Sequence, residues 1–355
     1  MPTSKKSRRD PRVTVGDPEV DAALAALVES LDPGSNRDLV TELLVTVSKL
    51  SRDQPDRGDV KLLNGAVREM RTSFRRFQTE ADRPKAAVFG SARTHMSDPS
   101  YALARDLGAA LVEAGWMVIT GGGPGIMTAT IEGAGGRNSF AVTIRLPFEP
   151  SGASALVDDD HLVRFRYFFT RKLTFMKESS AYVILPGGFG TMDELFELLT
   201  LVQTGKEMPA PIVLLEPPGG TYWSTWVEFV RVELIESGWV NPADLDLVHV
   251  TNDPVEATRY IVDFFAGYHS LRFVDGRLVI RLQRPIDDQG LATLNSEFSE
   301  LCVSGGIERT DALPSEVDDN DHPELPRLTL EFNNRSFARL HALARRLGSL
   351  VPPSV

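Results

Sequence analysis

The chain has 355 residues, 42% of them hydrophobic and 25% charged, enough to bury at least one large core and to form two or three folding units. A net charge of −11 argues against nucleic-acid binding through a broad basic surface, and no apolar run approaches the ~18 residues of a membrane span. The single cysteine, Cys302, leaves no intrachain disulfide and fits a reducing compartment. The six histidines are scattered with no pair at ligand spacing, so no metal site is expected.

Residues 1–15 are polar and carry Lys5, Lys6, Arg8, Arg9 and Arg12, without the apolar stretch of a secretory signal. They are expected to form a disordered tail on a cytoplasmic protein. Residues 16–80 read as a helical extension. Asp17 followed by Pro18 is a helix start, and Pro33-Gly34-Ser35-Asn36 is a turn with a cap. Further on, Val60, Leu63, Val67, Met70, Phe74 and Phe77 recur at steps of three and four, an apolar stripe that must be covered. Packing on a neighbouring domain would cover it, as would a second subunit, and at least a homodimer is expected.

Residues 84–266 change character. Ala86–Phe89, Trp116–Ile119, Phe140–Ile144, Tyr182–Leu185, Pro211–Leu215 and Leu247–Val250 are short apolar runs separated mostly by helical patterns. This alternation predicts a Rossmann-like, doubly wound α/β fold with a mostly parallel sheet and ligands at the carboxyl ends of its strands. Residues 268–350 read as a small α+β accessory domain. It has a hairpin turning at Asp275-Gly276, two helices and a later strand, and Asp311–Pro326 is an acidic, proline-bearing stretch expected to be mobile.

Three glycine-bearing loops follow three of the predicted strands: Gly90-Ser91-Ala92-Arg93, Gly121-Gly122-Gly123-Pro124-Gly125 and Pro186-Gly187-Gly188-Phe189-Gly190-Thr191. The second and third lead into helices predicted to start at Ile126 and Met192. Without a Cβ, backbone N–H groups can close on an anion, and a helix N-terminus adds partial positive charge. The second loop fails G-x-G-x-x-G, since Ile126 stands where the third glycine belongs, and no G-K-[ST] tripeptide occurs. Dinucleotide dehydrogenase and P-loop chemistry are therefore weak readings.

Pro186–Glu194 matches P-G-G-x-G-T-x-x-E, the signature of the LONELY GUY (LOG) phosphoribohydrolase family. Arg171-Lys172 resembles that family's Arg-Lys pair, and Gly121–Met127 and Gly90-Ser91 resemble its other two loops. The resemblance covers roughly residues 84–266. It implies hydrolysis of the N-glycosidic bond of nucleoside 5′-monophosphates, giving free base and ribose 5-phosphate. It also implies Arg171 and Glu194 as the catalytic pair. Gly90, Ser91, Arg93, Gly122, Gly123, Lys172, Gly187, Gly188, Gly190 and Thr191 are the candidates for holding the nucleotide and its phosphate. No cofactor is expected, because the lysine and pyridine-nitrogen partner of a PLP enzyme are not in evidence.

Each of these residues also has a plainer reading. Thr191-x-x-Glu194 is a capping box by spacing, Arg171 a solvated helix residue, and Lys172 a supporting charge. A non-catalytic carrier of nucleotide or molybdenum cofactor on the same scaffold is the alternative function, disfavoured by the intact Arg171 and Glu194.

Overall fold

The computed structural model describes residues 13–145 and 156–350. Most of the expected N-terminal tail, residues 1–12, lies outside them. By packing, the chain divides into two units between Arg68 and Glu69.

The first unit holds α1 (Pro18–Leu31), α2 (Arg37–Arg52) and the start of α3 (Arg57–Phe77). Asp17 caps α1, its carboxylate accepting from the Glu19 and Val20 N–H groups, with Pro18 in the first helical position. Val28 and Val45 are buried. Val60, Leu63, Val67 and Phe74, four of the six residues of the predicted apolar stripe, are exposed in the single chain.

The second unit opens with the end of α3 and continues through β1 (Lys85–Phe89), α4 (Pro99–Glu113), β2 (Met117–Thr120), α5 (Ile126–Ala134) and β3 (Ser139–Ile144). Next come β4 (Leu162–Phe165), α6 (Phe168–Glu178), β5 (Ala181–Ile184), α7 (Phe189–Gln203) and β6 (Ile212–Leu215). The segment closes with α8 (Tyr222–Phe229), β7 (Val248–Thr251) and α9 (Pro254–Gly267). The strands form one seven-stranded sheet in the order β4-β3-β2-β1-β5-β6-β7, parallel at every pairing. This is the doubly wound α/β fold expected from the alternation.

β4 was not anticipated: Leu162-Val163-Arg164-Phe165 follows three aspartates, and an arginine interrupts its apolar run. As an edge strand it has one neighbour only, so it tolerates the charge.

Both faces of the sheet are covered, which is why its central strands are apolar at successive positions. Phe77, Phe140, Phe175, Tyr182, Leu195 and Trp223 fill one side, with Phe77 and Phe140 stacked at 4.2 Å between ring centroids. Tyr101, Leu107, Val118, Ile126 and Ile261 fill the other.

The last part contains β8 (Tyr268–Val274), β9 (Arg277–Leu282), α10 (Asp288–Glu297), β10 (Glu308–Thr310), α11 (Pro314–Asp318), β11 (Arg327–Leu330) and α12 (Phe337–Leu350). Its sheet runs β10-β11-β9-β8, all antiparallel, and β8 and β9 form the hairpin turning at Asp275-Gly276. α12 lies close against α9. A Cβ on Gly267 would stand 2.3 Å from the Leu347 carbonyl oxygen, and one on Gly348 would stand 2.1 Å from that of Asp263. The buried His341 reaches from α12 to the Ala210 carbonyl at 2.9 Å, tying this part to the α/β sheet.

The stretch expected to be mobile is anchored through the buried Glu316, although most of its other residues are exposed. Arg281 on β9 and Arg327 on β11 are register partners, two like charges side by side on one sheet. Glu316 of α11 sits between them, fully buried. One carboxylate oxygen accepts from Arg281 Nη2 at 2.7 Å, and the other from Arg327 Nε and the Leu313 N–H, both at 3.1 Å. Asp321 accepts from Arg281 Nη2 at 2.6 Å, and the His322 and Leu325 carbonyls accept from Arg327. Burial alone would raise the Glu316 carboxyl. The hydrogen bonds from Arg281 and Leu313 and the charge of Arg327 win and hold it below its ordinary range. Composition reads acidic residues as solvated; here the strand register demands one inside.

Glu316→Ala leaves two buried guanidinium groups without their shared counter-ion. It is expected to destabilise the protein by roughly 3–5 kcal/mol, measured as a fall in urea midpoint at unchanged slope. A change below 1 kcal/mol would mean that the cluster is solvated.

Candidate functional site

The order of the sheet fixes where a site can form. From β1 the chain winds outward through β2, β3 and β4, then returns to the other side of β1 with β5 and winds the opposite way. Loops leaving β1 and β5 therefore diverge and open a crevice at the carboxyl edge. A cleft of about 1340 Å³ lies there, lined by all three glycine loops, by Arg171 and by Glu194.

The loops brace one another through their backbones. Ser91 N–H donates to the Pro186 carbonyl at 3.2 Å, and Ile126 N–H to the Ser91 carbonyl at 3.1 Å. Gly125 has φ +67°, and a Cβ there would stand 2.4 Å from the Ser91 carbonyl oxygen, so only glycine fits. The Ser91 hydroxyl accepts from the Arg93 N–H at 3.0 Å and shapes the first loop.

Two of the anion donors expected from the glycines are thereby used within the protein. At the α5 N-terminus the Ile126 N–H is taken by the Ser91 carbonyl, and the Gly122 N–H donates to the Thr120 hydroxyl at 3.2 Å. The start of α7 is different. Gly188 caps it without any side-chain hydrogen bond, and added Cβ atoms at Gly188 or Gly190 would meet nothing within 4 Å. The first N–H groups of a helix have no partner within the helix, so this N-terminus, capped by no side chain, is suited to receiving an anion.

The same geometry corrects the capping-box reading. α7 begins at Phe189 and not at Met192, which places Thr191 inside the first turn and Glu194 in the second. Neither side chain caps the helix. Thr191 packs instead beneath Gly187, where a Cβ would stand 2.1 Å from the Thr191 hydroxyl oxygen.

Glu194 is 7% exposed, and its Oε2 has no hydrogen-bond partner among the described residues. Burial pushes its carboxyl up to about 7, against the opposing pull of Lys172 and Arg171. Lys172 does not line the cleft. Its ammonium stands 3.7 Å from Glu194 Oε2 and 3.0 Å from Asp193 and is also paired to Glu197, a cation held behind the carboxylate. Arg171 is fixed on the opposite side. Its Nε donates to the Val142 carbonyl at 2.9 Å, its Nη2 reaches the Gly121 carbonyl at 3.5 Å, and its guanidinium lies 5.4 Å from the Phe175 ring centre.

Several lining residues were not foreseen. Glu69, at the end of α3, holds the start of α6: it accepts from the Arg166 N–H at 2.9 Å and the Thr170 hydroxyl at 2.7 Å. No sequence signal joins two residues about a hundred positions apart. Tyr222 donates its hydroxyl to the Gly187 carbonyl at 2.6 Å, while Glu216 accepts from its N–H at 2.8 Å. Its place at the start of a helix following a strand was the available clue. Arg145, Arg164 and Arg166 enter the cleft from β3 and β4, an edge the sequence did not reveal. Among the described residues, no lysine lines the cleft and no group of three His, Cys, Asp or Glu stands at metal-binding distance.

Residues 118–261 match the family described as "Possible lysine decarboxylase". A cytokinin riboside 5′-monophosphate phosphoribohydrolase of Mycobacterium tuberculosis is 28% identical over 166 residues, 44% of this chain and 82% of that protein. A second protein of that name, from Arabidopsis thaliana, is 30% identical over 152 residues, and a probable one from Oryza sativa subsp. japonica is 36% identical over 152. The chain spans 65% and 62%, respectively, of those two plant proteins. Among solved structures, a molybdenum cofactor carrier protein of Chlamydomonas reinhardtii is similar at a TM-score of 0.36 and 25% identity, over 51% of this chain and 96% of that one. The resemblance to the LOG family is thus shown by sequence over part of the α/β unit. No described helix is long and apolar enough to cross a membrane.

The two kinds of glycine are expected to respond oppositely to substitution. Gly125→Ala forces a left-handed residue against the Ser91 carbonyl and should lower stability by at least about 1 kcal/mol. Gly188→Ala, with extended backbone and open space around it, should stay within about 0.5 kcal/mol. Chemical denaturation of both variants checks the contrast, and equal losses would contradict it.

Proposed function

We propose that this chain hydrolyses the N-glycosidic bond of nucleoside 5′-monophosphates, releasing the base and ribose 5-phosphate. One observation carries the reading. A buried carboxylate, Glu194, with one oxygen that accepts no hydrogen bond, stands beside an open helix N-terminus and across from an anchored guanidinium. The relatives' names concern the same class of bond and support it.

The chemistry follows from that arrangement. The 5′-phosphate sits at the start of α7 on Gly188, Gly190 and Thr191, with Gly123 and the Ser91–Arg93 loop alongside, so a non-reacting group supplies binding energy. Breaking the ribosyl C–N bond develops positive charge on the sugar, as in glycoside hydrolysis. Ionised Glu194 stabilises that charge and accepts the proton of the water that adds to the anomeric carbon, while the base departs with the bonding electron pair. Arg171 orients the nucleotide. A homo-oligomer using the exposed stripe of α3 belongs to the same proposal.

Glu194→Gln keeps the shape of the side chain and removes its charge. Turnover of AMP, followed chromatographically as released adenine, is expected to fall at least about 100-fold, with melting temperature unchanged or higher because a buried charge is gone. Near wild-type turnover would end the assignment.

The pH dependence has a fixed sign. Glu194 acts ionised, and its carboxyl titrates near 7, so kcat/KM should rise through neutral pH and level off above it. Lys172 pulls that titration down; Lys172→Met should move the acidic limb to higher pH. An unmoved or lowered limb in pH–rate profiles of the two proteins would assign the titration to another group.

A further inference from the structure

The cleft carries more positive charge than one phosphate needs. Thr143 is the register partner of Arg164, and the Arg145 N–H donates to the Phe165 carbonyl at 2.8 Å, so the two strands run level where they enter the cleft. Side chains alternate along a strand, and the intervening Val142, Val163 and Phe165 are buried in the core. Arg145 and Arg164 therefore project from the other face, and Arg166 follows at the strand end. All three are exposed and line the cleft. Among the described residues none of their guanidinium groups makes a hydrogen bond or ion pair, although Arg166 lies over the Tyr167 ring. In a chain with a net charge of −11, three arginines that line one cleft with no carboxylate partner among the described residues point to an anionic ligand.

Their distance from the first anion-binding element matters. β3 and β4 lie three and four places from β5 in the sheet, and neighbouring strands are ~4.8 Å apart, so the backbones that carry the arginines stand about 14–19 Å along the edge from the strand that leads to α7, a gap the long arginine side chains span in part. A phosphate seated at the start of α7 leaves these three guanidinium groups to a second anion on the same ligand. The cleft, at about 1340 Å³, also exceeds the roughly 300–1,000 Å³ of ordinary small-molecule sites.

We propose that Arg145, Arg164 and Arg166 form a second anion subsite, which takes a carboxylate or phosphate that the ligand carries in addition to its 5′-phosphate. The proposal rests on the nucleotide reading for the ligand's orientation only. Guanidinium forks match either oxyanion bidentately, so the subsite selects nucleotides whose base carries a carboxylate or whose sugar carries another phosphate.

Calorimetry on the full chain and on the Arg145→Ala/Arg164→Ala variant tests this. The probes are AMP, orotidine 5′-monophosphate, adenosine 3′,5′-bisphosphate and inorganic pyrophosphate. In the wild type, orotidine 5′-monophosphate or the bisphosphate is expected to bind at least about tenfold tighter than AMP. Which of them does so tells carboxylate from phosphate. The variant should abolish that advantage while AMP affinity and cleavage stay within about threefold, and Arg145→Lys/Arg164→Lys should restore it only in part. The subsite is overturned if neither probe outbinds AMP in the wild type, or if the variant weakens AMP as much as the others. Should AMP be neither bound nor cleaved, pyrophosphate decides. Loss of its binding in the variant upholds the subsite while the hydrolase reading falls; unaffected binding overturns the subsite.

Discussion

A parallel sheet buried on both faces has no room for polar side chains along its length, and this constraint governs the molecule. β1, β2, β5 and β6 are buried at every position, so polar groups collect at the strand ends. The reversal of winding between β1 and β5 separates two of the loops at that edge and leaves the cleft between them. Gly125, Ser91 and Pro186 then lock the loops by backbone contacts that any larger residue at Gly125 would break.

Within the cleft, burial and charge are set against each other. Glu194 is kept from water, which raises its titration, while Lys172 behind it and Arg171 across from it limit the rise. The result is a carboxylate that changes charge near neutral pH, a property useful to a group handling a proton and of no benefit to a helix cap. Lys172 shapes that titration without reaching the cleft, since its ammonium is committed to Asp193, Glu197 and Glu194.

The C-terminal part solves a different electrostatic problem by similar means. Strand register brings Arg281 and Arg327 together, and only a buried acid inserted between them makes the sheet tenable. One acid of a largely exposed, proline-bearing stretch, Glu316, is therefore turned inward. None of this part lines the cleft, yet His341 and the close packing of α12 on α9 hold it to the α/β sheet.

By itself the sequence determined the class of fold, because alternation of short apolar runs with amphipathic helices admits few solutions other than a covered parallel sheet. It also marked the three glycine loops by their places after strands, and the resemblance to the LOG signature singled out Arg171 and Glu194; the structure brings all of them to one cleft. What tertiary structure decided depends on register and on contacts between distant segments, which leave no local trace in the chain. Glu69 holding α6, Tyr222 on the glycine loop, the edge strand β4 with its arginines, and the acid buried between Arg281 and Arg327 are all of this kind. So is the start of α7. Spacing alone fits Thr191 and Glu194 to a capping box, and only the path of the backbone through Gly188 shows the helix beginning earlier and leaving Glu194 free of any capping role.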